Sequence, residues 1–138
     1  MDNMIFKKIW EDDGFYKISV YVTSSEISIS NSIFVNHSDI TYLSSMIDKY
    51  FQSNKEFIWE AGVKKSDTEP YFKCKFYPMN IRGHIKIRIF MDIQNTFDEI
   101  GYSEFTIITE SGLLGKFGSG IKKLNFACVG ESVGLLDE

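Results

Sequence analysis

Four side chains in this sequence offer a soft metal donor or a nucleophile at neutral pH: His37, His84, Cys74 and Cys128. No two of them stand at a C-x-x-C or H-x-x-x-H spacing, which would bring both to one face of a turn or helix. Neither a metal site nor a cofactor is therefore expected. A Cys74/His84 dyad would activate a thiolate if the two met across a hairpin. Side chains alternate along a strand. If Phe72, Cys74 and Phe76 share the core face with Ile85 and Ile87, His84 points to the opposite side, and Cys74 reads as a buried structural thiol. His37, just before an expected helix, reads as a solvated loop residue.

Carboxylates are clustered at Glu11-Asp12-Asp13, Asp67 with Glu69, Asp98-Glu99, and Glu104 with Glu110. A general acid needs burial to lift its pKa. These lie in expected turns or on polar strand faces, so they read as solvated surface or as anchors for a basic partner. Gly112, Gly115, Gly118 and Gly120 around Lys116 fit neither G-x-G-x-x-G nor G-x-x-x-x-G-K-[ST]. Close helix packing or a helix broken midway explains them without a phosphate. The remaining constellation is basic and aromatic: Tyr71, Lys73, Lys75 and Tyr77, with His84, Lys86, Arg88 and Phe90 on the next strand. With Tyr77 facing His84, Lys75 opposes Lys86 and Lys73 opposes Arg88, and like charges directly across a ladder are destabilising. Glu104 and Glu110 on the following strand are the expected compensation. The alternative is a sheet face that stacks the bases of single-stranded nucleic acid on its rings.

The elements that must position these residues follow from periodicity. Apolar and polar residues alternate from Met4 to Val35, predicting strands Ile5 to Trp10, Phe15 to Thr23 and Glu26 to Val35. Asp13-Gly14 supplies a positive-φ turn, and a tight turn at Ser24-Ser25 would place Val22 opposite Ile27 and Val20 opposite Ile29. From Ser38, read as the N-cap, the spacing of Ile40, Leu43, Ile47, Tyr50 and Phe51 predicts a helix to about Gln52. Glu56 to Glu60 reads as a short strand. Tyr71 to Tyr77 and His84 to Ile93 form a hairpin reversed by residues 78–83, and Tyr102 to Glu110 is a further strand. Leu113, Phe117, Ile121 and Leu124 predict a second helix, and Asn125 to Val129 an edge strand.

These elements make the chain α+β, with a mainly antiparallel sheet of about six to seven strands and two helices, in one domain spanning 1–138. The 138 residues carry 15 basic and 19 acidic side chains, a formal charge of −4. That balance argues against general duplex binding, which leans on Lys and Arg at phosphates. Two cysteines exclude a disulfide scaffold. Met1-Asp2-Asn3-Met4 begins no signal sequence, and no run approaches the ~18 apolar residues of a membrane span. A soluble, cytoplasmic protein is expected, with no membrane partner.

From Trp59 onward the wording resembles a loose group of small bacterial proteins of unassigned activity, some of which look like immunity proteins of polymorphic or contact-dependent toxin systems. The resemblance is carried by Trp59-Glu60-Ala61-Gly62, Phe72 to Pro78, Arg82 to Ile87 and Glu110 to Gly118, over roughly residues 57 to 124, mostly at core and turn positions. It implies a non-enzymatic protein that neutralises a cognate toxin, commonly a nuclease, by occluding it. An acidic inhibitor suits a basic nuclease. The residues expected to meet such a toxin are Asp98, Glu99, Tyr102 and Glu104, with Asp67 and Glu69 as second choice. The alternative nucleic-acid face is Lys73, Lys75, Lys86 and Arg88 with Tyr71 and Tyr77.

Overall fold

The chain opens on a hairpin whose turn residues both need positive φ: Asp13 at 46° and Gly14 at 80°. That turn joins β1 (Asn3–Asp12) to β2 (Phe15–Thr23), and β3 (Ser28–Asn36) pairs with β2 to complete an antiparallel meander. In this computed structural model, residues 2–62, 71–94 and 100–136 are described, apart from the side chains of residues 93, 94 and 100–102.

Helix α1 (His37–Ser53) interrupts the meander. β4 (Phe57–Gly62) does not pair with β3 but starts a second sheet with β5 (Tyr71–Pro78), β6 (His84–Gln94) and β7 (Ile100–Glu110). Helix α2 (Ser111–Ile121) continues into a 3-10 turn (Lys122–Phe126), and β8 (Ser132–Gly134) returns to the edge of β1. The fold is thus α+β, with two helices and two antiparallel four-stranded sheets ordered β3-β2-β1-β8 and β4-β5-β6-β7. This corrects the expected single sheet of six to seven strands. Each sheet has one apolar face that must be covered, and the two faces meet in one buried cluster. Phe6 of the first sheet lies 5.8 Å from Trp59, 6.2 Å from Phe72 and 5.3 Å from Phe117, centroid to centroid.

Local chemistry explains where boundaries and registers depart from expectation. The Ser24 hydroxyl accepts from the amides of Glu26 and Ile27, and the Ser24 N–H donates to the Ile27 carbonyl at 2.7 Å. The turn therefore takes four residues, and Val22 pairs with Ile29 and Val20 with Asn31. Asn36, not Ser38, caps α1: its side chain accepts from the Asp39 amide while Asp39 accepts from the Asn36 amide. The β5–β6 hairpin closes between Met79 N–H and the His84 carbonyl, with the Asn80 side chain accepting from Arg82 and His84 amides and Gly83 at φ 87°. Its register therefore slides by two: Tyr77 faces Lys86, Lys75 faces Arg88 and Lys73 faces Phe90. A shift of two preserves which side each residue faces. No strand forms over 125–129, because Asn125 is drawn into the interior to bond Tyr16, and β8 takes the edge instead.

Gly118 lets α2 approach α1. A Cβ there would lie 2.9 Å from Ile47 Cγ2, and the Gly118 carbonyl accepts from Ser44 Oγ at 2.7 Å. Close packing is thus the use of at least this glycine. No described helix is long and apolar enough to cross a membrane.

Candidate functional site

Side chains of β5 and β6 alternate as expected over residues 71–78 and 84–92. Cys74 is buried opposite Ile89, and burial pushes its thiol pKa well up, away from the thiolate. His84 stands on the other face, across from Glu110, with its Nδ1 against the Asn80 side chain. The two cannot form a dyad. Cys128 is exposed, and among the described residues no three His, Cys, Asp or Glu side chains gather as a metal site.

The second outward face, that of β4 to β7, carries most of the positions singled out in the sequence. Arg88 Nε donates to Glu104 Oε1 at 2.9 Å, its terminal nitrogen bonds the same oxygen, and Nη1 donates to Thr106. Glu104 therefore compensates the basic strand pair, as expected, and is engaged rather than presented to a partner. Glu56 reaches Lys75 at 3.6 Å. Tyr71 is buried and donates to Glu60, with its pKa raised chiefly by burial and then by the Glu60 hydrogen bond and charge. It is not a stacking platform. Lys73, Lys75, Tyr77 and Arg88, with Ile58 and Phe90, line an open basin of about 300 Å³, while Lys86 lies outside that lining. Asp67, Glu69, Asp98 and Glu99 fall outside the described residues, and Tyr102 is described only by its backbone, opposite Asp92.

A buried polar nest sits beside the first sheet. Parity puts Lys8 on the same inward face as Met4 and Phe6, and it is 0% exposed. A buried ammonium must be paired. Its Nζ donates to Glu11 Oε2 at 2.9 Å and to the Ala127 carbonyl at 3.0 Å, and lies 4.4 Å over the Tyr16 ring. Tyr16 OH donates to Asn125 Oδ1 at 2.7 Å, and Asn125 Nδ2 donates to the His37 carbonyl and Thr41. Burial, then the charges of Glu11 and Asp39, drive the Tyr16 pKa far up. His37 is not a solvated loop residue: it is the first residue of α1, its ring between Tyr16 and Phe126, with Nε2 buried and without a hydrogen-bond partner.

The nest fixes the feature that the sequence pattern missed. Lys8 also exchanges backbone hydrogen bonds with the segment after the 3-10 turn, Lys8 N–H to Glu131 and Gly130 N–H to Lys8. Between Lys8 and Trp10 the ladder slips: Lys8 pairs with Ile18 and Trp10 with Lys17, leaving Ile9 as a β-bulge. Strict alternation would send Trp10 inward with Phe6. The bulge turns it out to 45% exposure, beside Phe15 at 44% and Phe34 at 39%. Phe15 stacks on Phe34 at 5.4 Å and 8°, Trp10 meets Phe34 edge-on at 6.0 Å, and Lys17 Nζ lies 5.2 Å from the Phe34 ring centre. Exposed Glu11, Asp12 and Asp13 follow directly at the turn. Three exposed rings thus pack on one another beside the exposed carboxylates Asp12 and Asp13, while Glu11 is held by Lys8.

Set against protein-family models, curated proteins and solved structures, the chain matches none.

Proposed function

We propose that the chain is a non-enzymatic binding protein of the immunity type, which docks on a basic protein surface of a cognate toxin and occludes it. The observation that carries this reading is the exposed Trp10, Phe15 and Phe34 cluster with Asp12 and Asp13 following at the turn. Large aromatic side chains at the centre of an interface supply most of its affinity. Rings already stacked in the free protein lose little rotamer freedom on docking. The adjacent carboxylates Asp12 and Asp13 and a net charge of −4 select a basic partner and speed its approach. The anchor in this reading is the outward face of the β1–β2–β3 sheet rather than Arg88-bound Glu104.

The test is co-expression with the product of the reading frame adjoining the gene. The expected result is a copurifying complex that restores growth arrested by that product, and whose affinity falls at least about 30-fold in Trp10→Ala, the effect of losing a central anchor. Asp12→Lys with Asp13→Lys should slow association and flatten its salt dependence. Absence of a complex, or a complex indifferent to both changes, refutes the reading.

A further inference from the structure

We propose that the outward face of the second sheet holds a separate site for a short single-stranded nucleic-acid segment, with bases against Tyr77 and Phe90 and the intervening phosphates against Lys75 and Arg88. The register supplies the first argument. Lys75 sits directly across the β5–β6 ladder from Arg88, so an anionic group between them meets two cations at once. Glu104 offsets Arg88, but on the far side, from β7, and in doing so holds the guanidinium in place. Glu56 meets Lys75 at 3.6 Å with both side chains exposed, a contact a phosphate can displace.

The lining supplies the second argument. The basin of about 300 Å³ is bordered by Lys73, Lys75, Arg88, Tyr77, Phe90 and Ile58, three cations with two rings and no carboxylate. Lys73 Nζ lies 4.7 Å from the Phe90 ring centre and Lys75 Nζ 5.8 Å from that of Tyr77. Phe90 pairs with Lys73 and Tyr77 lies four residues further along β5, so the two positions are about 13 Å apart along the strand direction at the usual rise. The Lys75–Arg88 pair falls midway. That distance is about two steps of a stretched single strand, so the rings suit the first and third of three bases with the linking phosphates over the basic centre, and stacking of this kind needs no particular base. A duplex, whose bases are stacked inside, cannot use the rings.

The experiment is fluorescence anisotropy of a labelled hexathymidylate with the intact protein, beside an amide and side-chain NMR titration. Two to three phosphates engaged predict a salt slope of about −1.4 to −2.1, so that affinity falls about 7- to 18-fold between 50 and 200 mM salt. Lys73→Gln with Lys75→Gln, both on the solvent face, should remove most of that slope without lowering the melting temperature. Resonances of Tyr77 and Phe90 should shift with the oligonucleotide and not with inorganic phosphate. The inference is overturned by any of four results: no salt-sensitive binding, equal response to inorganic phosphate alone, equal affinity for a duplex or a polyglutamate peptide, or binding unchanged in the double variant. Trp10→Ala should leave this binding intact, which separates the site from the toxin-docking surface.

Discussion

Two glycines three residues apart on α2 should respond to alanine with opposite signs. At Gly118 an added Cβ meets Ile47 Cγ2 at 2.9 Å, Cβ at 3.3 Å and Cδ1 at 3.4 Å. Ile47 is fully buried on α1, and a β-branched side chain in a helix has essentially one χ1 rotamer, so it cannot swing away. Overpacking of this kind costs about 2–3 kcal/mol, against which alanine recovers about 1 kcal/mol of helix propensity. The net is a loss of about 1–2 kcal/mol. At Gly115 the nearest atom is Phe51 Cε2 at 3.8 Å, an ordinary contact with an exposed ring, so Gly115→Ala should gain about 0.5–1 kcal/mol. For 138 residues the unfolding entropy converts 1 kcal/mol into about 3.5 °C. Calorimetry should therefore show Gly115→Ala melting about 2–3 °C higher and Gly118→Ala about 4–7 °C lower. In an Ile47→Ala background, where only the Cβ contact remains, Gly118→Ala should become neutral or stabilising. A Gly118→Ala protein that melts higher than the parent refutes the close approach of the two helices.

Stability should fall on the alkaline side. Burial raises Cys74 above its ordinary 9.0 and Tyr16, Tyr50 and Tyr71 above 10.0, so the folded chain keeps protons that the unfolded chain releases. Stability then drops by about 1.4 kcal/mol per pH unit for each group, beginning near pH 9 with Cys74. Urea unfolding between pH 8 and 10.5 should show Cys74→Ala with a shallower slope between pH 9 and 10, and equal slopes would contradict the assignment. Lys8→Met keeps the apolar stem but removes the ammonium bonds to Glu11 and Ala127. It should lose about 1.5–3 kcal/mol, whereas wild-type stability would show that the ammonium bonds do not stabilise the nest.

Much of the fold was legible because period-two alternation is hard to disguise. Phe72, Cys74 and Phe76, with Ile85 to Met91, named the inward face of β5 and β6 correctly, and a register error of two left that assignment intact. Phe15 and Phe34 could have been read as outward by the same alternation, since Tyr16, Ile18, Ile33 and Val35 take the inward positions. Trp10 could not, because its exposure depends on a bulge held by Lys8 backbone bonds to residues more than 120 positions away. The polar nest was hidden for the same reason: Asn125 and Ala127 reach Tyr16 and Lys8 only in the folded chain. Asn36 displaced Ser38 as the cap of α1 because both residues suit that position, and the return bond from Asp39 decides between them.

The most direct measurement of the docking claim uses the two tryptophans, which stand in opposite environments: Trp59 is 2% exposed and Trp10 sits in the exposed ring cluster. With the chain alone labelled by 5-fluorotryptophan, fluorine NMR gives one resonance for each. Added toxin partner should shift the Trp10 signal and shield it from soluble paramagnetic agents while leaving Trp59 in place. A saturated complex in which Trp10 neither shifts nor loses solvent access would contradict the account.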